Sequence, residues 1–546
     1  MMDNHRRSTD ALQPTPPPPR LPPQFLAQSV EDMATLGAWP SMRVPGLNAF
    51  VRYLSGISTG CQFELEQARQ IFASKQQAKL QTLPIEMLVM ILECLDYQDV
   101  LRLRQCSRVL ASATRTRSLW LTLFNRYAEC WPRPLWLPKS LSHCSSDDLE
   151  ALISNRLTSI EDFALGPVNE TTTLLANPDG QFSQVSSLGC LPGGRFFLLC
   201  QNDGSIWYHD SEGVDTPPQP LFEPPFTGGE ITADVSYDCL SMLGDVELFP
   251  HTFNATVLWR RVTRRPKPYS PLRDHVVDIW SIIPCRTDGK VHGYSSERLA
   301  SFSDNAEDGA VLAFPTLYGN HVAYISRNHT IIVDWTALPA PGSEEAMKCR
   351  FPRTYIGARG LKLVLLPGAR IVLLKHDGIT IHAWGDYAQC SLSPRWADAG
   401  DNSPIWSHTW TKFPWPSPNL GDISPYLIRN TLRLVIPTTA GIDGVILPAT
   451  YDPAHHAVEA VPLYRGKKLC PSQQDFGYHK GFAVRRELYE LYQYRWPDDH
   501  AGFPGTSEFD GLGEEHADLA HFDESRNCIV KFTRGHGMYT LHTLNR

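Results

Sequence analysis

Paired cysteines are missing from this chain. Its 13 cysteines are scattered singly with no C-x-x-C, which removes the usual sequence signature of both a zinc cluster and a disulfide framework. The odd, unclustered count fits free thiols in a reducing compartment. Long apolar runs are missing too. The densest, LKLVLLPGARIVLLK at 361–375, is interrupted by Pro, Gly and charge and reads as a strand pair, since a membrane span needs about 18 apolar residues in a row. The opening MMDNHRRSTDALQPTPPPP has no apolar segment of the kind a secretory signal requires. Positive charge is not in excess: 50 Lys and Arg stand against 58 Asp and Glu, for a net charge of −8 and a pI near 6.2. That balance argues against nucleic acid or an anionic membrane surface as a partner. The expectation is an intracellular protein, cytoplasmic or nuclear.

Catalytic motifs are equally scarce. No GxxxxGK[ST], no H-E-x-x-H and no Rossmann glycine fingerprint occurs. The 19 histidines form two notable groups. One is the acidic stretch with Glu514, Glu515, His516, Asp518 and His521; the other is the pair His455-His456 in a Pro-containing turn. Neither has metal-ligand spacing, and both read as solvated loops. Asp498-Asp499 is a carboxylate pair only along the chain. Accordingly no catalytic residue, cofactor or metal ligand is nominated. Two further stretches stand out. PIWSHTWTKFPWPSP (404–418) is an aromatic cluster that reads first as inter-sheet packing and second as a ligand groove. RRVTRRPKP (260–268) is a local basic run without interleaved aromatics and reads as an inter-strand loop.

What is present divides the chain in two textures. With 42% hydrophobic and 20% charged residues, there is ample material for a core. Residues 1–60 carry the proline tract QPTPPPPRLPP and read as a disordered arm; 61–79 read as a linker helix. Over 80–127 the pattern is dense and helical. Pro84 suits a first helical position and Glu86 the positive end of the helix dipole. A first helix is expected to stop near Asp96-Tyr97, a second to begin near Asp99, a third at Ser107, and a fourth after an N-cap at Ser118. The first helix, within LPIEMLVMILECL (83–95), is apolar on every side, which a helix on one core does not require. Residues 128–164 read as a linker.

From 165 to 546 the texture is β-rich. LPGGRFFLLCQNDGSIWYHD (191–210) is echoed by LPGARIVLLKHDGITIHAW (366–384): an apolar strand, an Asp-Gly turn and a second strand. Looser copies are 237–262, 281–294, 321–335, 432–447 and 518–544. Spacings of roughly 40 to 60 residues match four-stranded blades around an axis, and about six to eight blades fit the length. The predicted fold is an α+β multidomain protein: a small all-α module followed by a large all-β, propeller-like domain. The final run GMYTLHTL (537–544) is expected to be a paired strand that closes the array.

The helical segment resembles the F-box. The resemblance lies in Leu83-Pro84, Glu86, Leu88, Ile91-Leu92, Leu95, Asp99-Val100-Leu101, Leu103-Arg104, Cys106, Arg108, Val109 and Leu119-Trp120. Its middle departs slightly from the family form, because Gln105, Cys106 and Ser107 offset the Val-Cys-Arg segment. The resemblance implies a substrate-recognition subunit of a Skp–cullin–F-box ubiquitin ligase, non-catalytic itself, of the fungal type with a long β-rich tail. Its implied partners are the Skp-type adaptor, the cullin scaffold and a protein substrate. Implied adaptor contacts are Leu83, Pro84, Leu88, Ile91, Leu92, Leu95, Val100, Leu101, Val109 and Trp120, some of them internal to the module. Two alternatives stay open: an F-box scaffold without a role in ubiquitination, and a propeller-fold hydrolase.

Overall fold

The computed structural model describes most of residues 83–544. The longer stretches outside it are 162–166, 175–184, 241–251, 264–271, 304–311, 340–350, 391–402, 411–422, 466–472, 499–504 and 510–518. The expectations for residues 1–60 and 61–79 fall outside the described residues.

Five helices open the described chain. α1 (Ile85–Glu93) follows Pro84, which is the N-cap with extended ψ, one residue earlier than its expected place inside the helix. α2 (Tyr97–Arg104) ends on Arg102 and Arg104, which complement the negative end of its dipole. α3 (Arg108–Ala113) starts at Ser107, whose Oγ accepts from the Leu110 N–H at 3.2 Å, as its sequence position predicts. α4 (Arg117–Ala128) is capped by Thr116, two residues before the expected Ser118. α5 (Ser146–Glu161) lies in the 128–164 stretch and opens on a capping box. There the Ser145 Oγ accepts from the Asp148 N–H at 3.2 Å, and the Ser145 N–H donates back to Asp148 Oδ2 at 2.7 Å.

Polar clips hold these helices together at their ends. The Trp120 indole N–H donates to the Thr114 carbonyl at 2.7 Å, satisfying an acceptor at the end of α3. Arg104 grips Glu150 of α5 through two bonds of 2.9 and 2.6 Å. Arg117 donates to the carbonyls of Cys144 and Leu141 at 2.8 and 2.6 Å, and Arg126 donates to the Glu93 carbonyl at 3.0 Å. Between the clips lie Leu88, Leu92, Val100, Leu119, Trp120, Leu123 and Phe124, all buried. Burial of a side chain of this size contributes about 1.5–3 kcal/mol.

The β region forms seven antiparallel sheets among the described residues. Blade I is β2 (Val185–Cys190), β3 (Phe196–Gln201), β4 (Ile206–Asp210) and β5 (Gln219–Phe222). Blade II is β6 (Glu230–Tyr237), β7 (Phe253–Thr263), β8 (Leu272–Thr287) and β9 (Lys290–Ser303). Blade III is β10 (Leu312–Tyr318), β11 (His321–Ser326), β12 (His329–Asp334) and β13 (Arg353–Ile356), with β17 (Gln389–Cys390) as a fifth strand. Blade IV is β14 (Lys362–Leu366), β15 (Arg370–Leu374), β16 (Gly378–Ala383) and β18 (Trp406–Thr409). The chain therefore returns to blade III before finishing blade IV. Blade V is β19 (Tyr426–Ile428), β20 (Thr431–Thr438), β21 (Gly441–Pro448) and β22 (Glu459–Arg465). Blade VI is β23 (Gln473–Phe476), β24 (Lys480–Arg485), β25 (Leu488–Gln493) and β26 (Gly505–Phe509).

Blade VII closes the ring. Its inner three strands are β27 (Leu519–Asp523), β28 (Cys528–Thr533) and β29 (Met538–Leu544), and its outer strand is β1 (Pro167–Leu174), which pairs antiparallel with β29. The first and last strands of the domain thus share a sheet, and neighbouring blades touch in order all the way round. This is a closed propeller, and the run at 537–544 is the paired strand the sequence predicts.

The two strongest echoes in the sequence occupy equivalent places, since 191–210 and 366–384 both supply the two middle strands of a blade. A backbone bond repeats there. The residue after the third strand donates to the turn between the first two: Ser211 to Arg195 at 2.9 Å, Trp335 to Asn320 at 3.0 Å, Trp384 to Ala369 at 2.8 Å, Ala449 to Asn430 at 2.9 Å and Tyr494 to His479 at 2.9 Å. Two looser copies are displaced by one strand. Residues 281–294 join the third and fourth strands of blade II, and 237–262 join its first and second. A hairpin has the same local signature wherever it stands in a blade, so turn residues cannot set that register.

Candidate functional site

α1 is where the apolar surplus is resolved. Successive residues turn by about 100°, so Leu88, Val89 and Leu92 fall on one side, and all three are buried. On the opposite side Met90 is 45% exposed, with Met87 and Cys94 half-buried beside it, while Ile85, in line with the buried stripe but in the first turn of the helix, is also 45% exposed. Val109, at the start of α3, is 43% exposed. These are three of the large hydrophobic side chains left in solvent among the described residues.

The residues singled out in the sequence sort into two sets. Leu88, Leu92, Val100 and Trp120 are core residues that brace the module from within. Leu83, Ile91, Leu95 and Leu101 are half-buried, while Pro84 and Val109 are exposed. Ile85, Met87 and Met90 belong to the all-round apolar helix the sequence shows but are not among the adaptor contacts it implied. Apart from Glu86 and Glu93 the helix is apolar on all sides, so the pattern alone does not say which side of α1 faces in. Its packing against α3 and α4 decides it.

The module continues into the propeller through one apolar cluster that runs from the helices to blades I and II, ending at Val291 and Tyr294. Arg429, in the turn between β19 and β20, adopts φ +53° and donates to the Cys130 Sγ at 3.6 Å. Inside the module the Tyr127 hydroxyl accepts from the Tyr97 N–H at 3.3 Å, and burial raises its pKa above the ordinary phenol value.

The other sequence candidates find structural partners or lie outside the described residues. His521 Nδ1 is 2.8 Å from Asp475 Oδ2, which joins blade VII to blade VI; residues 514–518 and His455-His456 lie outside. Asp498 is held by Arg433. In the basic run, Arg260 pairs with Asp234 at 2.9 Å and Arg261 bonds Asp274 at 3.0 Å, both along the sheet; 264–268 lie outside. Trp406 and Trp410 pack into the cluster between blades IV and V; 411–418 lie outside. Among the described residues no group of three His, Cys, Asp or Glu side chains is placed to hold a metal ion, and no helix is long and apolar enough to cross a membrane.

The family model for F-box-like domains matches residues 80–126. Residues 80–126 are an F-box-like domain. The chain therefore joins a small F-box-like helical module to a large propeller. Comparison with curated proteins gives no match. Among solved structures, the β-propeller domain of Cps50 (Swd1) from Myceliophteria thermophila is similar at 13% identity, with a TM-score of 0.37, covering 69% of this chain and 99% of that one. The WD40 domain of SCAP from fission yeast is similar at 8% identity and TM-score 0.32, covering 66% of this chain and 84% of that one. A chain of a mitotic checkpoint complex is similar at 8% identity and TM-score 0.34, covering 70% and 97%. At these scores the likeness carries no weight, and the propeller rests on its own strand order and closure.

Proposed function

We propose that this protein is the substrate-recognition subunit of a Skp–cullin–F-box ubiquitin ligase. The observation that carries the proposal is the apolar surface α1 leaves uncovered: Met90 on its outward side and Ile85 in its first turn stand in solvent although the helix has already filled its own core with Leu88, Val89 and Leu92. Apolar side chains left exposed together on an F-box-like module are an interface in waiting, and the Skp-type adaptor is their partner. Leu83, Pro84, Ile91, Leu95, Leu101 and Val109 flank that face as contacts. Leu88, Leu92, Val100 and Trp120 position it from behind.

The protein itself performs no chemistry in this reading. The propeller holds a protein substrate, the cullin scaffold brings the ubiquitin-carrying enzyme, and transfer is accelerated by raised effective concentration. The continuous apolar cluster from the helices into blades I and II supports this, because a receptor must hold its substrate at a fixed distance from its adaptor. Affinity purification of the full chain from native extract tests the reading. Recovery of the adaptor and cullin together with proteins that accumulate when the chain is removed is the expected result. Recovery of the adaptor without cullin, and no change in any protein's lifetime, points to a scaffold instead.

A further inference from the structure

We propose that the seam between blades VI and VII is a two-way carboxylate lock, whose release lets blade VII lift from blade VI while the other blades stay folded. It is independent of the adaptor reading above. Among the described sheets only blade VII combines both ends of the β region, β1 with β27 to β29, so its docking completes the ring. Five apolar clusters fill the seams from blades I–II round to blades V–VI. Across VI–VII, Phe482 meets Phe522 edge to face at 6.3 Å between ring centres. Beside that pair, two carboxylates cross the seam in opposite directions. Release bares the innermost strands, β23 and β27.

Asp475, near the end of β23, reaches forward. Its Oδ2 accepts from the Phe522 N–H of β27 at 3.1 Å and lies 2.8 Å from His521 Nδ1. Glu524, just past β27, reaches back. Its Oε1 accepts from the His479 N–H at 2.7 Å and lies 3.8 Å from His479 Nδ1, while its Oε2 accepts from the Tyr478 N–H. The two carboxylates are only 14% and 17% exposed, and a charged acceptor in such a place bonds more strongly than a neutral one. Blade III shows the neutral version. Its Thr316 lies four residues before Asn320, as Asp475 does before His479, and its Oγ1 accepts from the Leu365 N–H of blade IV at 3.3 Å. The receiving turn of blade VI is shaped for Glu524. A Cβ at Gly477 meets Glu524 Cβ at 2.9 Å and Cδ at 3.0 Å, so glycine leaves the space the carboxylate enters. The buried Tyr494 hydroxyl fixes that turn from behind, 2.5 Å from the Gly477 carbonyl and 3.0 Å from that of Lys480.

The test is hydrogen exchange of the full chain, read blade by blade. Glu524→Gln replaces one acceptor oxygen by a donor facing two N–H groups. Exchange over 519–544 should then quicken about tenfold or more, as expected for losing a charged hydrogen bond, with blades III and IV unchanged. Gly477→Ala blocks the same carboxylate from the other side of the seam and should give the same regional signature; it carries the test if Glu524→Gln does not fold. The two changes together should be no worse than the more damaging one, because a single lock is lost only once. Thr316→Val, which removes the bond between blades III and IV, should leave 519–544 as in wild type. Wild-type exchange over 519–544 in both single variants, an equal rise in every blade, or additive effects in the double variant each overturns the proposal.

Discussion

Gly444 on β21 permits blades V and VI to close on each other. A Cβ at that position meets Trp496 Cζ3 at 2.6 Å and Cη2 at 2.8 Å, with Leu463 Cδ1 at 3.1 Å. Trp496 cannot yield. It is fully buried, stacks on Tyr478 at 5.2 Å, donates its indole N–H to the Tyr478 carbonyl at 3.0 Å and lies under the Arg433 guanidinium at 5.1 Å. Forcing a methyl group into such a contact costs about 1–3 kcal/mol, against a gain of about 0.5–1 kcal/mol from replacing glycine by alanine in a strand. Gly444→Ala should therefore destabilise the protein by about 1–2 kcal/mol net, read as a lower midpoint in urea followed by tryptophan fluorescence. Trp496→Phe removes the two indole atoms concerned, so in that background Gly444→Ala should be neutral or stabilising. Equal costs in the two backgrounds refute the packing argument.

Other consequences follow from burial and closure. Asp278 is fully buried and accepts from the Trp259 indole at 2.8 Å; burial raises its pKa above the ordinary carboxylate value. The unfolded chain then releases this proton first, so the carboxylate erodes stability as pH rises past about 4. Asp278→Asn should be more stable than wild type at pH 7, with the advantage shrinking toward pH 4; a variant less stable at both refutes it. His209, His321 and His329 are held below the ordinary imidazole value by burial. Their contribution is intact above a pH of about 6.5 and is lost as pH falls below it, so the urea midpoint should drop on acidification and drop less in His209→Gln. Removal of residues 538–546 strips β1 and β28 of their shared partner, and the propeller should lose its single cooperative melt. An unchanged melt argues against closure.

Much of this architecture is legible in the residues, and what is not has physical reasons. The helix starts at Ser107 and the echo between 191–210 and 366–384 are local signals, and the structure honours both. The capping box Ser145-x-x-Asp148 is equally local and marks α5 inside a stretch that reads as a connection. The pairing of β1 with β29 is different. Its partners lie at opposite ends of the β region, and nothing in PVNETTTL names MYTLHTL as its neighbour. The outward side of α1 was hidden for another reason. Ile85, Leu88, Met90 and Leu92 are interchangeable by hydropathy, and only the packing of α1 against the module core separates the buried pair from the exposed one.

That exposed pair permits the most direct test. Ile85 and Met90 contribute little to the module's own core, so changing both to Asp should leave folding within about 0.5 kcal/mol of wild type. Affinity of the purified chain for the Skp-type adaptor is the measurement. The account predicts a loss of at least about thirtyfold, as for central interface anchors worth about 2 kcal/mol, with an unaltered melt. Wild-type affinity in the folded double variant contradicts it.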